Sequence, residues 1–352
     1  NQQLPQSALG SKSPLLAMKE WHKLKPKLFK KQPYYLPGCD NYWPLNTCLY
    51  VKDFHGNSPL FSYYFLKTID LAAHNSGSAQ PSLNRNFVHP LPVRFPDRVE
   101  QDTIAATLGA LDDKIELNRQ MNDTLESMAR ALFRDWFVDF GPTRAKLAGT
   151  APYLSPDLWS LFPGRLDDEG KPEGWELRRV DQLLELAYGK ALKATDRQPG
   201  NVPVYGSGGV TGTHSDALVA GPSVVVGRKG TVGSLYWEDS PFFPIDTVFF
   251  VRPFAPLTFC YYALDQLGLD QMNTDAAVPG LNRNNVYRLE IAWPGDALVR
   301  AFDDFALSVR AKLKHNTEQS RTLAQTRDLL LPRLMSGKLR VGQAERIAAE
   351  VL

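Results

Sequence analysis

From Ile104 onward, apolar side chains return at alternating steps of four and three: Leu108, Leu111, Ile115, then Leu125, Ala129, Leu132 and Trp136. Asn118 and Asn122 occupy the two seam positions between. This 3.5-residue period is that of a coiled-coil seam and predicts a helix over about 98–138. At 1.5 Å per residue such a helix is roughly 60 Å long. A sparser series follows near the end of the chain: Phe302, Phe305, Val309, Asn316, Leu323, Leu330 and Leu334. Pro332 is expected to end or kink that second helix. Two such helices can bury their seams on each other in antiparallel fashion. Asparagines on a seam are costly when buried and fix register and orientation.

Between the helices the pattern changes. Gly141 to Gly174 holds Pro142, Pro152, Pro156, Pro163 and Pro172, a density that ends a helix and marks a connector. Trp175-Glu176-Leu177 then opens a region with an amphipathic turn at Val180–Leu186 and short strand-like runs between glycine turns. These runs are Val202–Tyr205, Ser223–Val226, Ser234–Trp237 and Val248–Val251.

The chain also repeats itself. Residues 79–88 and 277–286 match at seven of ten positions at an offset of 198. Pro44-Leu45-Asn46-Thr47 faces Pro244-Ile245-Asp246-Thr247 at an offset of 200, and each leads into a strand-like run, Cys48–Val51 and Val248–Val251. Aromatic-rich stretches follow at Phe61–Leu66 and Phe259–Leu264, and Asn118 and Leu125 face Asn316 and Leu323. Matches in one order indicate two copies of a unit made of a globular domain followed by a helix.

Composition narrows the class without naming a ligand. With 352 residues, 43% hydrophobic and 22% charged, the chain is long enough for two or three folded domains. A net charge of +2 does not mark a polyanion binder by itself, although a local basic face can hide in it. Residues 1–31 carry Lys12, Lys19, Lys23, Lys25, Lys27, Lys30 and Lys31 against Glu20, a local +6 that could follow a phosphate backbone or form a solvated face. Cys39, Cys48 and Cys260 form no CxxC pair, and the six histidines show no metal-site spacing. No apolar run is long enough to span a membrane and no signal-peptide core is present, so a cytoplasmic protein is expected. The chain begins at Asn1 rather than Met, which suits a start inside a longer sequence.

Gly227-Arg228-Lys229-Gly230-Thr231-Val232-Gly233-Ser234 is the sharpest local motif. Its glycines allow close backbone approach while Arg228, Lys229 and Thr231 offer phosphate contacts. It lacks the spacing of a Walker loop, and a hairpin turn with exposed basic residues is the plainer reading. Leu83-Asn84-Arg85-Asn86 and Leu281-Asn282-Arg283-Asn284 could read base edges, but capping of the following helical segment is favoured. Phe133 to Phe140 forms an aromatic-rich helix end with an exposed look, suited to a contact with the neighbouring domain or with a partner. Asp112-Asp113 and Asp167-Asp168-Glu169 read as exposed helix-face and loop charges. There is no methyltransferase DPPY or NPPY motif, no GxGxxG, no GxSxG and no paired-metal nuclease pattern.

Together these segments resemble the DNA specificity subunits of type I restriction–modification enzymes. The likeness lies in W-E-L at Trp175, G-R-K-G-T-V-G-S at 227–234, P-I-D-T-V-F-F-V at 244–251 and L-N-R-N-N-V at 281–286. It continues in the helix from Gln101 through Asp112-Asp113-Lys114-Ile115 to Trp136-Phe137-Val138-Asp139-Phe140, and in the tail Leu330 to Gly337. The match spans about 43–341. It implies an α+β chain with two β-rich target recognition domains separated by two long antiparallel coiled-coil helices. Each domain would read half of a bipartite site on double-stranded DNA, with the helix pair as ruler for the spacer; about 60 Å corresponds to roughly 18 base pairs. The resemblance also implies no catalysis by this chain and no cofactor bound by it. Two methyltransferase subunits would methylate adenine with S-adenosylmethionine, and restriction and translocase subunits would use ATP and Mg. One departure stands out: residues 27–34, at the offset of the glycine loop, read K-L-F-K-K-Q-P-Y. The first domain is then either missing its front half or diverged toward a different half-site.

The expected division is a first recognition domain at 1–97, a spacer helix at 98–140, a connector at 141–174, a second recognition domain at 175–296, a second spacer helix at 297–341 and a tail at 342–352. DNA contacts are expected from Arg228, Lys229, Thr231, Lys190, Lys193, Arg283, Lys27, Lys30 and Lys31. The helix and partner interface is expected from Leu108, Leu111, Ile115, Asn118, Asn122, Leu125, Leu132, Trp136, Asn316, Leu323 and Leu330. The competing class is a coiled-coil scaffold without DNA specificity, and a stand-alone nuclease or methyltransferase ranks third.

Overall fold

A computed structural model describes residues 49, 51–75, 82–93, 95–272 and 280–352. In chain order its elements are α1 (Pro59–Lys67), α2 (Arg85–Val88), α3 (Arg98–Phe137), α4 (Gly141–Leu147), α5 (Pro156–Leu161), β1 (Glu176–Arg179), α6 (Val180–Leu183), β2 (Leu184–Tyr188), β3 (Val202–Gly206), β4 (Gly209–His214) and β5 (Ser223–Gly227). They continue with β6 (Leu235–Glu238), β7 (Phe243–Pro244), β8 (Val248–Pro253), α7 (Leu257–Gln266), α8 (Arg283–Tyr287), β9 (Glu290–Trp293), α9 (Asp296–Met335) and α10 (Val341–Val351). The described residues form two compact units. One is Glu126–Arg310; the other takes the chain up to Leu125 together with Ala311–Leu352.

In the Glu126–Arg310 unit a four-stranded antiparallel sheet has the order β2-β8-β5-β6, beside a three-stranded sheet β4-β3-β7 and the pair β1-β9. Strand β5, Ser-Val-Val-Val-Gly, is buried at every position, as a β-branched run covered on both faces should be. One face packs Val225, Val248 and Phe250 with Ala187, Tyr205 and Phe242. Helix α7 is buried from Thr258 to Leu264 and packs on β5 and β6.

The aromatic end of α3 belongs to this core, the first of the two roles its sequence suited, a contact with the neighbouring domain rather than with a partner. Phe133 rests within 5.2 Å of both Phe259 and Phe302, and Trp136 meets Phe162 and Phe302. Phe133, Trp136 and Phe137 are all buried. They look exposed only while the domain that covers them is out of view.

The other unit buries Phe61, Tyr64, Ile104, Leu108, Leu111, Leu323, Leu330 and Leu334 in one cluster, with Ala344 and Ala348 from α10. Residues 342–352, set apart as a tail in the sequence, thus belong to a packed helix. Pro332 lies inside α9, which runs on to Met335, so of the end or kink expected there the helix end does not occur. The missing N–H forgoes one bond near the terminus only, and the end comes at Gly337, whose positive φ lets its N–H reach Leu334 O.

The seam asparagines form one hydrogen-bonded cluster. Asn118 Nδ2 donates to Gln319 Oε1 and Ser320 Oγ, Asn316 Nδ2 donates to Asn122 Oδ1 at 2.8 Å, and Asn122 Nδ2 donates to Thr317 Oγ1. Partner numbers fall on α9 as they rise on α3, so the helices are antiparallel here. Asn118 to Ser320 and Asn316 to Asn122 are the same contact exchanged at the offset of 198.

The repeat is structural as well. Phe61 meets Phe95 at 5.4 Å and 73°, and at the same offset Phe259 meets Trp293 at 5.4 Å and 73°. Two differences separate the copies. The first, among its described residues, has no strand beyond an isolated bridge between Asn75 and Leu83; Leu49 and Val51 are exposed and lie outside any strand. Leu60 and Tyr63 on α1 are 45% and 48% exposed, whereas their counterparts Thr258 and Tyr261 are buried on α7. Asp112 is also not a plain surface charge: it accepts Tyr64 Oη at 2.6 Å and pairs with Arg327 at 2.5 Å. Asp167 and Glu169, by contrast, hold Lys171 within an exposed turn.

Candidate nucleic-acid interface

Strands β2, β8 and β5 deliver aromatic and basic side chains to one end of the sheet. Tyr188 is the last residue of β2 and pairs with Phe249 in β8, which in turn pairs with Val226 in β5. The Tyr188 and Phe249 rings lie 5.0 Å apart. Arg228, just past β5, places its guanidinium 5.2 Å from the Tyr188 centroid and 5.8 Å from that of Phe249. Arg283 at the start of α8 stacks on the same tyrosine at 4.9 Å. With Lys229, Leu281, Asn282 and Asn284 these residues line an open cleft of about 400 Å³ in which no described lining residue is acidic.

The backbone beneath Arg228 is tied on both sides. Arg228 N and Lys229 N donate to Thr247 O at 3.0 Å, and Leu281 N donates to Arg228 O at 2.8 Å. The glycine segment joins β5 to β6 as a hairpin loop, as the plainer sequence reading had it, and also carries the basic residues of the cleft. Glycine is required at 233: φ is +73° and a Cβ would overlap the backbone of Leu269 and Asp270. Gly233→Ala is expected to destabilise this unit by about 1–3 kcal/mol, measured by chemical denaturation. Gly268→Ala, at φ +63° but with open space around it, should cost less.

Asn282 caps α8 by accepting Asn284 N at 2.9 Å, and Asn84 caps α2 identically. Of the sequence-expected DNA contacts, Arg228, Lys229 and Arg283 converge on the cleft. Lys190, Lys193 and Thr231 are exposed but do not line it. Lys27, Lys30 and Lys31 lie outside the described residues. The seam residues Leu108, Leu111, Asn118, Leu125, Leu132, Trp136, Asn316, Leu323 and Leu330 are buried, with Ile115 and Asn122 half-buried, so a partner would meet other faces of the helices.

Sequence reasoning passed over Tyr188 and Phe249. It also passed over a charged cluster around Glu126, whose carboxylate accepts Arg130 Nε at 3.2 Å, Tyr261 Oη at 3.1 Å and Arg310 at 3.1 Å. Arg130 also pairs with Asp265, and Arg310 stacks on Trp237 of β6 at 4.6 Å. Burial raises the phenols of Tyr261 and Tyr262 above the usual tyrosine range, and the Glu126 charge adds to it, which keeps both as donors. The four-residue spacing of Glu126 and Arg130 was the available signal. Among the described residues no group of His, Cys, Asp or Glu could hold a metal ion, and no helix is long and apolar enough to cross a membrane.

Residues 35–127 and 172–294, more than half of the chain, match the type I restriction modification DNA specificity domain, and they do so as two separate segments. The chain belongs to this family. It is a DNA specificity subunit, the role its relatives carry, and not itself an enzyme. The HindI specificity subunit of Haemophilus influenzae is 26% identical over 376 residues, covering 85% of this chain and 82% of the relative. The MjaIX specificity subunit of Methanocaldococcus jannaschii is 29% identical over 133 residues, 37% of this chain and 28% of the relative. The crystal structure of a type I S subunit from M. genitalium superposes with a TM-score of 0.52 at 20% identity, over 78% of this chain and 72% of that one, and shares the fold.

Proposed function

We propose that this specificity subunit reads one half of a bipartite site on double-stranded DNA with the cleft of its second recognition domain, through Arg228, Lys229 and Arg283. The observation that carries the reading is the convergence of three cations and two amide side chains in an open cleft with no acidic group among its described lining residues. Cations supply the salt-dependent attraction to phosphates, while arginine and amide groups can address base edges. The two copies supply the two readers, and the helices that follow them are the element on which two methyltransferase subunits and, through them, restriction subunits would assemble. S-adenosylmethionine, ATP and Mg would be used by those partners.

The test pairs binding with modification. In the complex with its modification subunits, Arg228→Ala plus Lys229→Ala is expected to weaken DNA binding and to lower the slope of log affinity against log salt by about 1–2. Sequencing of methylated bases in cells carrying the intact chain should show a split motif. Unchanged affinity and slope in the double variant would put the DNA contacts of this subunit outside the cleft.

A further inference from the structure

We infer that Arg228 is a base reader of the second half-site, selecting a guanine, and that Tyr188 is the positioning residue that holds it flat. This deepens the function proposed above and rests on it. The alternative role for an arginine in such a cleft is a phosphate contact, and the geometry separates the two.

Arg228 differs from Arg130, Arg310 and Arg197 of its unit. Arg130 and Arg310 are taken up by carboxylates, and Arg197 donates to Thr211 O at 2.8 Å. The Arg228 guanidinium donates to no protein group among the described residues, so its five N–H donors stay available. It is nonetheless not loose. Two adjoining rings lie within 6 Å of it, its own amide and carbonyl are both bonded, and its Cα sits beyond a strand buried along its length. A planar cation packed against aromatic rings, with its donors free, suits the bidentate pair of guanine O6 and N7. A phosphate accepts a point charge from many directions and needs no such preparation. Lys229, exposed and next along the chain, fits that second role.

Tyr188 is the ring nearest the Arg228 guanidinium. It is 51% exposed at the sheet end, carries Arg228 and Arg283 on its ring, and is braced edgewise by Phe249. Stacking requires the ring and not the hydroxyl, so phenylalanine should serve and alanine should not.

The experiment selects preferred sequences from a randomised DNA library with the full chain in its complex, for Arg228→Lys, Tyr188→Ala and Tyr188→Phe beside wild type. Arg228→Lys keeps the charge and removes the bidentate edge. It is expected to lose discrimination at one guanine of one half-site by about 5- to 150-fold, with the other half-site and the salt slope retained. Tyr188→Ala should relax the same position and Tyr188→Phe should restore it, all three variants unfolding near the wild-type midpoint. An unchanged motif in Arg228→Lys, or an affinity lowered equally on every sequence, overturns the assignment. That result is distinct from failure of the cleft itself, which would show as an Arg228→Ala plus Lys229→Ala variant with wild-type affinity and salt slope.

Discussion

Replacing Phe302 with alanine is expected to lower the unfolding free energy of the Glu126–Arg310 unit by about 3–5 kcal/mol. Phe302 is fully buried and touches Phe133, Trp136, Phe137 and Tyr262, all at centroid distances between 5.2 and 6.3 Å. Truncation removes the transferred surface and leaves a cavity walled by rigid rings that cannot collapse into it. The measurement is chemical denaturation followed by tryptophan fluorescence, since Trp136 and Trp175 report on this core. Phe254→Ala is the control: at 67% exposed it should fall within about 0.5 kcal/mol of wild type. Equal effects of the two substitutions would mean that the aromatic helix end is not the core described above.

The period of the seam and the repeat at 198 made the helices and the two copies legible, because both depend on spacing along the chain alone. Asn118, Asn122 and Asn316 stand out in a sequence for the same reason: polar residues at apolar positions must find partners, and the partners lie on the facing helix. The capping role of Asn282 is local and was readable from its place before a short helix. The cleft was readable only in part. Arg228 and Lys229 announce themselves by chemistry, but Tyr188 needs the register that sets it opposite Phe249, and register is a property of three strands far apart in sequence. Lys190 and Lys193 illustrate the converse, since basic composition near a site does not bring side chains into it. Phe133 and Trp136 left two roles open for a related reason: rings that bury them come from α7 and α9, more than a hundred residues onward.

The copies also show how one framework carries different charges. Tyr64 and Tyr262 occupy equivalent positions, as do Asp112 and Arg310 at the same offset. In the first copy the tyrosine donates to an aspartate that Arg327 neutralises; in the second the arginine itself stacks on the tyrosine and seeks a carboxylate. A reversed charge at one helix position was accommodated by recruiting Glu126, and this makes Glu126 the residue on which the second arrangement depends.

Glu126→Ala is accordingly expected to destabilise its unit by about 3–5 kcal/mol, because it strands Arg310, whose side chain is 12% exposed, without a counter-charge. Arg130 suffers less, since Asp265 still pairs with it. The decisive comparison is a double-mutant cycle with Arg310→Met. Glu126→Ala leaves Arg310 without its counter-charge, and Arg310→Met leaves Glu126 to Arg130 and the tyrosine hydroxyls, whereas removal of both leaves no uncompensated charge between those positions and keeps an apolar stem against Trp237 and Tyr261. The double variant should therefore be more stable than the sum of the singles predicts by about 1–3 kcal/mol. Additivity within about 0.5 kcal/mol would show that Glu126 and Arg310 act independently, and that Tyr261 and Tyr262 alone satisfy the arginine.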